Sequence, residues 1–200
     1  MRVVLDWDGT ATERDTLHLV NERFGDPAVF AACEEALSRG RATLHEVLRR
    51  EFAAVRAPLD EVVAFLLAEA RVRPGFHELV AERAPLVVSS GFHELIEPLL
   101  AREGVELELL ANRVEAGPAG WRVGFRDETA CPVCGEPCKR RLLPPGPVAY
   151  VGDGVSDRCA ALAADRVFAR DGLAAWLGER GVAYEPFGDL DDVRAALRRR

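Results

Sequence analysis

The 200-residue sequence predicts an α/β fold: a doubly wound parallel sheet with a small all-helical insert after the first strand. Three observations lead to this prediction. Short continuous apolar runs end in acidic or small residues, as buried parallel strands do. Helical patterns follow these runs, and such alternation is typical of doubly wound sheets. A long segment between the first two runs has helical spacing and little strand signal.

Four apolar runs are predicted to form the parallel core strands, and each is followed by a turn or a helix. The strands are 3–5, 85–89, 147–151 and 166–169, and the helices are 92–102, 155–164 and 173–179. Two further strands are predicted at 106–111 and 121–126, with a Gly- and Pro-containing turn between them. Because ligands bind at the carboxyl ends of strands in such sheets, the residues just after these runs are the first candidates for chemistry.

The insert is predicted to span residues 13–73, which leaves 1–12 and 74–200 as the core. Glycine and proline breaks separate its helical stretches, 16–24, 28–38, 44–53 and 59–70. These boundaries make the insert a separate, purely helical unit.

Composition excludes several classes of partner. The chain has 26 basic and 33 acidic residues, a net charge of −7, which is a poor match for nucleic acid or anionic lipid. It has no apolar stretch long enough for a bilayer and no signal-peptide region at its start, so we expect a cytoplasmic protein with no membrane partner. Arginine supplies 25 of the 26 basic residues, a bias typical of either a GC-rich genome or a hot habitat.

Two pairs of carboxylates follow predicted strands. Asp6 and Asp8 stand two residues apart at the end of the first strand, where extended chain points both side chains the same way. Asp153 and Asp157 follow the third strand. An isolated Asp-x-Asp is also typical of an acidic turn, but four crowded carboxylates repel one another unless a cation lies among them. Oxygen-only ligands favour Mg²⁺.

Ser89 and Lys139 are candidates for binding an anion. Ser89 ends a strand just before a helix, where a hydroxyl and free N–H groups either bind an anion or simply cap the helix. Lys139 is the only lysine in a chain that otherwise uses arginine. Its retention indicates a site that needs a compact ammonium, although a chance surface position is the alternative.

Taken in order, residues 6–10 (Asp-Trp-Asp-Gly-Thr), Ser89, Lys139 and residues 152–157 resemble the four motifs of the haloacid dehalogenase (HAD) superfamily. The helical insert resembles the cap of its phosphoserine-phosphatase-like branch. The resemblance implies a Mg²⁺-dependent phosphatase that acts on a small phosphorylated metabolite through an aspartyl-phosphate. A non-catalytic metal-binding or regulatory module on the same fold is the alternative from another class.

The resemblance also implies roles for individual residues. Asp6 would be the nucleophile and Asp8 the general acid and base, while Lys139 would bind phosphoryl oxygens and offset the charge of Asp6. The implied Mg²⁺ ligands are Asp6, Asp8 through its backbone carbonyl, and Asp153, with Asp157 as a further carboxylate near the ion. The implied substrate-binding residues are Thr10, Asp15, Ser89, Ser90 and Gly91.

Within the branch, the chain most resembles the phosphatases of methionine salvage, which act on an enol-phosphate. Residues 65–76 resemble their return from cap to core, and Ser156 stands where phosphoserine phosphatases tend to have Asn. Asp15 stands where those enzymes carry a Glu that binds the substrate ammonium. Phosphoserine, phosphoethanolamine and pyridoxal phosphate remain alternative substrates.

A cysteine-rich segment precedes the lysine. Cys131, Cys134 and Cys138 include the pattern Cys-Pro-x-Cys-Gly, which is half of a zinc knuckle. A fourth ligand would have to come from elsewhere, so a structural Zn²⁺ and reduced thiols in a loop both stay open. Cys33 and Cys159 fall in helical patterns and are predicted to be core thiols rather than ligands.

Overall fold

The computed structural model describes residues 1–199, in which seven strands form a single sheet. The strand order is β4-β3-β2-β1-β5-β6-β7, and all neighbours are parallel except β3 and β4. The predicted doubly wound α/β fold is therefore confirmed. The strands are β1 (Arg2–Leu5), β2 (Leu86–Phe92), β3 (Leu109–Glu115), β4 (Arg122–Gly124), β5 (Val148–Gly152), β6 (Arg166–Ala169) and β7 (Glu185–Pro186).

Helices cover the sheet and form the insert. Those of the insert are α1 (Thr16–Phe24), α2 (Pro27–Ser38), α3 (Leu44–Phe52) and α4 (Leu59–Glu69). The others are α5 (Phe76–Arg83), α6 (His93–Arg102), α7 (Arg158–Ala161), α8 (Asp171–Glu179) and α9 (Leu190–Arg198). Short helical turns occupy Trp7–Ala11, Lys139–Leu142 and Val155–Asp157. Over residues 1–199, no helix combines the length and apolarity needed to cross a bilayer.

Alternate residues of β1 enter two apolar clusters on opposite faces of the sheet. Val3 and Leu5 pack with residues of α5, α6, α9 and the insert, whereas Val4 packs with residues of α7 and α8. Burial on both faces explains why the central strands read as continuous apolar runs.

One strand was predicted at the wrong place, and two elements were not predicted. The predicted strand at 106–111 is wrong: β3 begins at Leu109, which pairs with Val87, and continues to Glu115. The carboxyl-terminal half of β3 pairs with the edge strand β4 and exposes Arg113 and Glu115. Because these exposed charged residues interrupt the apolar pattern of a buried strand, the sequence there is more typical of a loop. The unpredicted elements are β7, the strand at one edge of the sheet, and α9.

The chain leaves and re-enters the core at adjacent points. Thr12 and Val72 form an antiparallel bridge at the two ends of the insert, and α1–α4 lie between them. The insert also contacts the β3–β4 hairpin, because the Trp121 backbone N–H donates to the Phe52 carbonyl at 3.0 Å and the indole N–H donates to Ala57 at 2.9 Å. The division into a core and a cap at residues 13 and 73 remains a prediction.

Arg73 fixes the loop that follows β1. Its buried guanidinium donates to the backbone carbonyls of Gly9 at 2.8 Å, Thr10 at 2.9 Å and Thr12 at 3.0 Å. These carbonyls belong to the segment just after Asp6, so an arginine at the end of the insert sets the path of the chain around the first carboxylate pair. No local pattern indicates this role, since Arg73 is one of 25 arginines.

We expect the substitution Arg73→Met to lower the free energy of unfolding by about 3 kcal/mol, because it leaves several buried carbonyls without donors at roughly 1–3 kcal/mol each. Urea denaturation followed by circular dichroism measures the change. The matched control is Arg56→Met, at an exposed position, which should lose less than about 0.5 kcal/mol. Equal losses in the two variants would show that the Arg73 contacts do not stabilise the fold.

Candidate active site

Three neighbouring parallel strands bring the predicted motifs together. Asp6 follows β1, Ser89 lies near the end of β2, and Asp153 follows β5. Because β1 pairs with β2 on one side and with β5 on the other, their carboxyl ends lie at one edge of the sheet. The residues predicted from separate motifs thus occupy one site.

Lys139 joins two of the carboxylates. Its buried ammonium donates to Asp6 Oδ1 and, at 2.8 Å, to Asp157 Oδ1. Burial alone opposes the charge, but the Asp157 and Asp6 carboxylates outweigh it and raise the pKa of Lys139 above its ordinary value. The lysine therefore stays a cation inside the site, and the alternative of a chance surface lysine is excluded by its 4% exposure.

Asp157 is fully buried and surrounded by donors. It accepts from Tyr150 Oη at 2.7 Å and from the backbone N–H groups of Asp153 and Gly154 at 3.0 Å, besides Lys139. Burial disfavours its charge, yet Lys139 and the hydrogen bonds hold the pKa of Asp157 below its ordinary value. Its oxygens are thus already engaged in fixing the ammonium and the backbone around Asp153. Sequence reasoning missed Tyr150, which is part of an apolar strand run.

Asp8 lies in a separate hydrogen-bonded pocket. Its carboxylate accepts from Ser89 Oγ at 3.0 Å, from the Thr16 backbone N–H at 3.2 Å and from Thr16 Oγ1. Burial, with a further contribution from Asp15, raises the pKa of Asp8 to about 7. The first two motifs therefore contact each other directly, and Thr16 is a contact that the sequence did not reveal.

Gly91 has no space for a side chain. A Cβ at this position would lie 2.8 Å from Asp8 Oδ2 and 3.0 Å from Ser89 Oγ. Its backbone N–H donates to Ser89 Oγ at 2.7 Å. Ser89 therefore accepts from the loop and donates to Asp8, which fixes the orientation of its hydroxyl.

Two of the predicted substrate-binding residues have other contacts. Thr10 is fully buried and donates to Asp153 Oδ1 at 2.7 Å, so it orients that carboxylate. Asp15 accepts from the His18 backbone N–H at 2.9 Å and caps α1. Ser89, Ser90 and Lys139 are the predicted catalytic and substrate-binding residues that line the adjoining cavity.

The donor set fits a hard divalent cation. Carboxylate oxygens of Asp6, Asp153 and Asp157 lie within 4.8 Å of one another. Burial and the charge of Asp157 raise the pKa of Asp6 well above its ordinary value and that of Asp153 to about 6. A cation would relieve this repulsion, and carboxylate oxygens suit Mg²⁺. Because Asp157 is occupied by hydrogen bonds, Asp6 and Asp153 are the carboxylates left to hold such an ion.

A cavity of about 460 Å³ adjoins Lys139 and Ser89. One wall comes from the insert, and the others come from the β2 and β3 strand ends, the segment before Lys139, and the residues after Asp157. Its apolar and aromatic lining residues include Leu37, Ala42, Leu44, His45, Leu142, Val155 and Trp176. The size and the mixed lining are those of a small-molecule site.

Four cysteines meet beside this cavity, and Cys134, Cys138 and Cys159 line it. Cys131, Cys134 and Cys138 are joined by Cys159, the second residue of α7, and the four sulfurs lie within 4.8 Å of one another. Cys159 is buried, as predicted for a core thiol, but its place in α7 also brings its sulfur to the other three, a proximity that the sequence did not reveal. Cys33 is buried in α2, as predicted.

Comparisons with known proteins agree with this geometry. Over 211 aligned positions, 99% of this chain and 96% of the relative, the sequence is 28% identical to a protein of Bacillus cereus (strain B4264) named 2-hydroxy-3-keto-5-methylthiopentenyl-1-phosphate phosphatase. The fold is similar to a structure described as a phospho-aspartyl intermediate analogue of phosphoserine phosphatase, with a TM-score of 0.74, 17% identity, and 98% of this chain and 96% of that chain covered. It is also similar to a substrate-bound phosphoserine phosphatase complex, with a TM-score of 0.71, 16% identity, and 98% and 97% covered.

The predicted resemblance and the predicted class of enzyme, a phosphatase, are both confirmed by these findings. The family model described as haloacid dehalogenase-like hydrolase matches residues 3–162, which include all four motifs. This chain therefore belongs to the haloacid dehalogenase-like hydrolase family.

Proposed function

We propose that this phosphatase hydrolyses a small phosphorylated metabolite by transferring the phosphoryl group to Asp6, with Mg²⁺ as cofactor. The observation that carries the proposal is the convergence of Asp6, Asp8 and Lys139 at the ends of adjacent strands, beside a cavity of metabolite size. The enol-phosphate of methionine salvage is the proposed substrate.

In the first step, an Asp6 carboxylate oxygen attacks phosphorus and the bond from phosphorus to the leaving oxygen breaks. The leaving oxygen takes a proton from the Asp8 carboxyl. In the second step, Asp8 takes a proton from water, and the water oxygen attacks phosphorus. The acyl-phosphate bond then breaks, which releases phosphate and restores Asp6 and protonated Asp8. A carboxylate suits the first role because its phosphoryl adduct is labile.

Positive charge is supplied close to the transferring group. Lys139 offsets the negative charge of Asp6 and would donate to a phosphoryl oxygen, and Ser89 with the backbone around Gly91 would bind another. Asp6, Asp153 and the Asp8 carbonyl would hold Mg²⁺, which neutralises charge on the phosphoryl oxygens when bound. Thr10 and Asp157 would position this set through their contacts with Asp153 and Lys139.

The substrate assignment is supported by the full-length similarity to a methionine-salvage phosphatase and by the identity of residue 15. Asp15 stands where phosphoserine phosphatases carry a Glu for the substrate ammonium; it is one carbon shorter than Glu, and its carboxylate caps α1. We propose that residues 13–73 form a cap over the active site, because residues of α2 and α3 line the cavity. The proposed compartment is the cytoplasm. The non-catalytic alternative is disfavoured by the intact set of Asp6, Asp8, Lys139 and Asp153.

We expect Asp6→Asn to lower the turnover number by at least about 10³-fold while circular dichroism stays unchanged, because the amide removes the nucleophile. Steady-state hydrolysis of an aryl phosphate with saturating Mg²⁺ measures the effect. The control is Asp60→Asn, an exposed change in the first turn of α4, which should keep full activity. Retention of more than about a tenth of wild-type activity by Asp6→Asn, with deamidation excluded by mass spectrometry, would contradict the assignment.

Lys139→Arg should be nearly as damaging as Lys139→Ala, with kcat/KM lower by on the order of 100-fold. The ammonium is enclosed between Asp6 and Asp157, and a planar guanidinium would displace one of these carboxylates. The matched control is the exposed conservative change Arg141→Lys, which should leave kcat/KM unchanged. If Lys139→Arg keeps more than about a third of wild-type kcat/KM, compactness of the cation is not what the site requires.

A substrate panel tests the assignment of the metabolite. We expect kcat/KM for the enol-phosphate, generated in place from its precursor, to exceed that for phosphoserine by at least about tenfold, because Asp15 replaces the longer Glu that binds the substrate ammonium in phosphoserine phosphatases. Phosphoethanolamine and pyridoxal phosphate complete the panel. A higher kcat/KM for any of the three would replace the methionine-salvage assignment while leaving the phosphatase chemistry intact.

A further inference from the structure

The sulfurs of Cys131, Cys134, Cys138 and Cys159, the cysteine cluster, have the spacing of a metal site. All four lie within 4.8 Å of one another, and the Cys131 and Cys159 sulfurs are 3.9 Å apart. A tetrahedral zinc ion with Zn–S bonds of about 2.3 Å separates its sulfurs by about 3.8 Å. A disulfide would need a distance of about 2.05 Å, and all four thiols are free.

The backbone around Cys131 has the turn that a metal-binding knuckle requires. The Val133 N–H points at Cys131 Sγ at 3.4 Å, and the Gly135 N–H donates to the Cys131 carbonyl at 2.8 Å. Gly135 has a φ of +80°, a conformation that favours glycine.

We propose that the cysteine cluster binds one Zn²⁺ ion with a structural role. Four thiolates form a closed ligand set that leaves no position for a substrate, as in structural zinc sites. Soft sulfur ligands select zinc over Mg²⁺, so this ion would be distinct from the one proposed at the carboxylates. Cys131 and Cys159 are buried, whereas Cys134 is exposed and gives an ion a path of entry.

The cysteine cluster adjoins both residues of the Lys139–Asp157 ion pair, so a zinc ion bound there would help to position that pair. Cys138 directly precedes Lys139, and Cys159 stands two residues after Asp157. The chain has no helix or strand between Gly124 and Lys139. The exposed ion pairs of this segment, Glu128 with Arg49 and Asp127 with Arg141, contribute little stability. A zinc ion would join this otherwise weakly held loop to α7.

Metal analysis of the wild-type protein tests the proposal directly. The full chain is expressed with zinc in the medium, desalted without chelator, and analysed for metals by plasma mass spectrometry. We expect about one zinc per chain in the wild type and about none in Cys159→Ser or Cys131→Ser, since structural sites need all four ligands. Two controls should keep their zinc: Cys33→Ser, a buried cysteine outside the cluster, and Asp153→Asn, at the carboxylate site.

A second measurement keeps the test decisive if the cysteine variants misfold. Wild-type protein stripped of zinc and loaded with Co²⁺ should show the strong visible absorption of a tetrahedral cobalt thiolate, and Zn²⁺ but not Mg²⁺ should restore the thermal midpoint lost on stripping. Wild-type protein with substoichiometric zinc, with iron in its place, or with disulfides among these cysteines would overturn the proposal. So would zinc that disappears with Asp153→Asn and stays with Cys159→Ser. Because none of these measurements uses catalysis, they are independent of the proposed phosphatase mechanism.

Discussion

The contact of the Lys139 ammonium with Asp6 and Asp157 is the interaction on which the rest of the site depends. The carboxylates of Asp6, Asp153 and Asp157 lie within 4.8 Å of one another; Asp6 and Asp157 are buried and Asp153 is half-buried, and burial makes such charges costly unless they are paired. Lys139 supplies the paired charge within the described chain, and Asp157 holds the lysine in place with help from Tyr150. Asp6 is thereby kept beside a fixed cation at the end of β1, which is what a nucleophile towards a phosphate ester needs.

A layer of neutral donors and one arginine makes this arrangement rigid. Thr10 fixes Asp153, Thr16 and Ser89 fix Asp8, and Arg73 fixes the loop between these residues. Buried polar networks stabilise a unique arrangement only when every member has its partners. Thr10 and Ser89 belong to the family motifs, whereas Thr16 and Arg73 do not, and the structure shows that the charged residues depend on all four for their positions.

The sequence was sufficient to predict the parallel core and the residues that converge, because strand runs and strand-end carboxylates carry their own local signals. Other contacts have no local signal. Arg73 is one arginine among many, Tyr150 is hidden in an apolar run, and Thr10 turns towards Asp153 only because of the path of the loop. Cys159 is 28 residues from Cys131, and their proximity depends on how α7 packs against the preceding loop. The carboxyl-terminal end of β3 was not predicted for a similar reason: its charged residues form a strand only because they pair with β4, which is not a local property of the sequence.

The central claim is that Asp6 carries the phosphoryl group during turnover. It is tested most directly by mixing enzyme with substrate and Mg²⁺, quenching with acid within one turnover, reducing with borohydride and sequencing the peptides by mass spectrometry. Reduction converts an aspartyl-phosphate to homoserine, so we expect homoserine at position 6, at a level that falls as the substrate is exhausted. Homoserine at another position, or none at any time point in an enzyme that turns over, would contradict the claim.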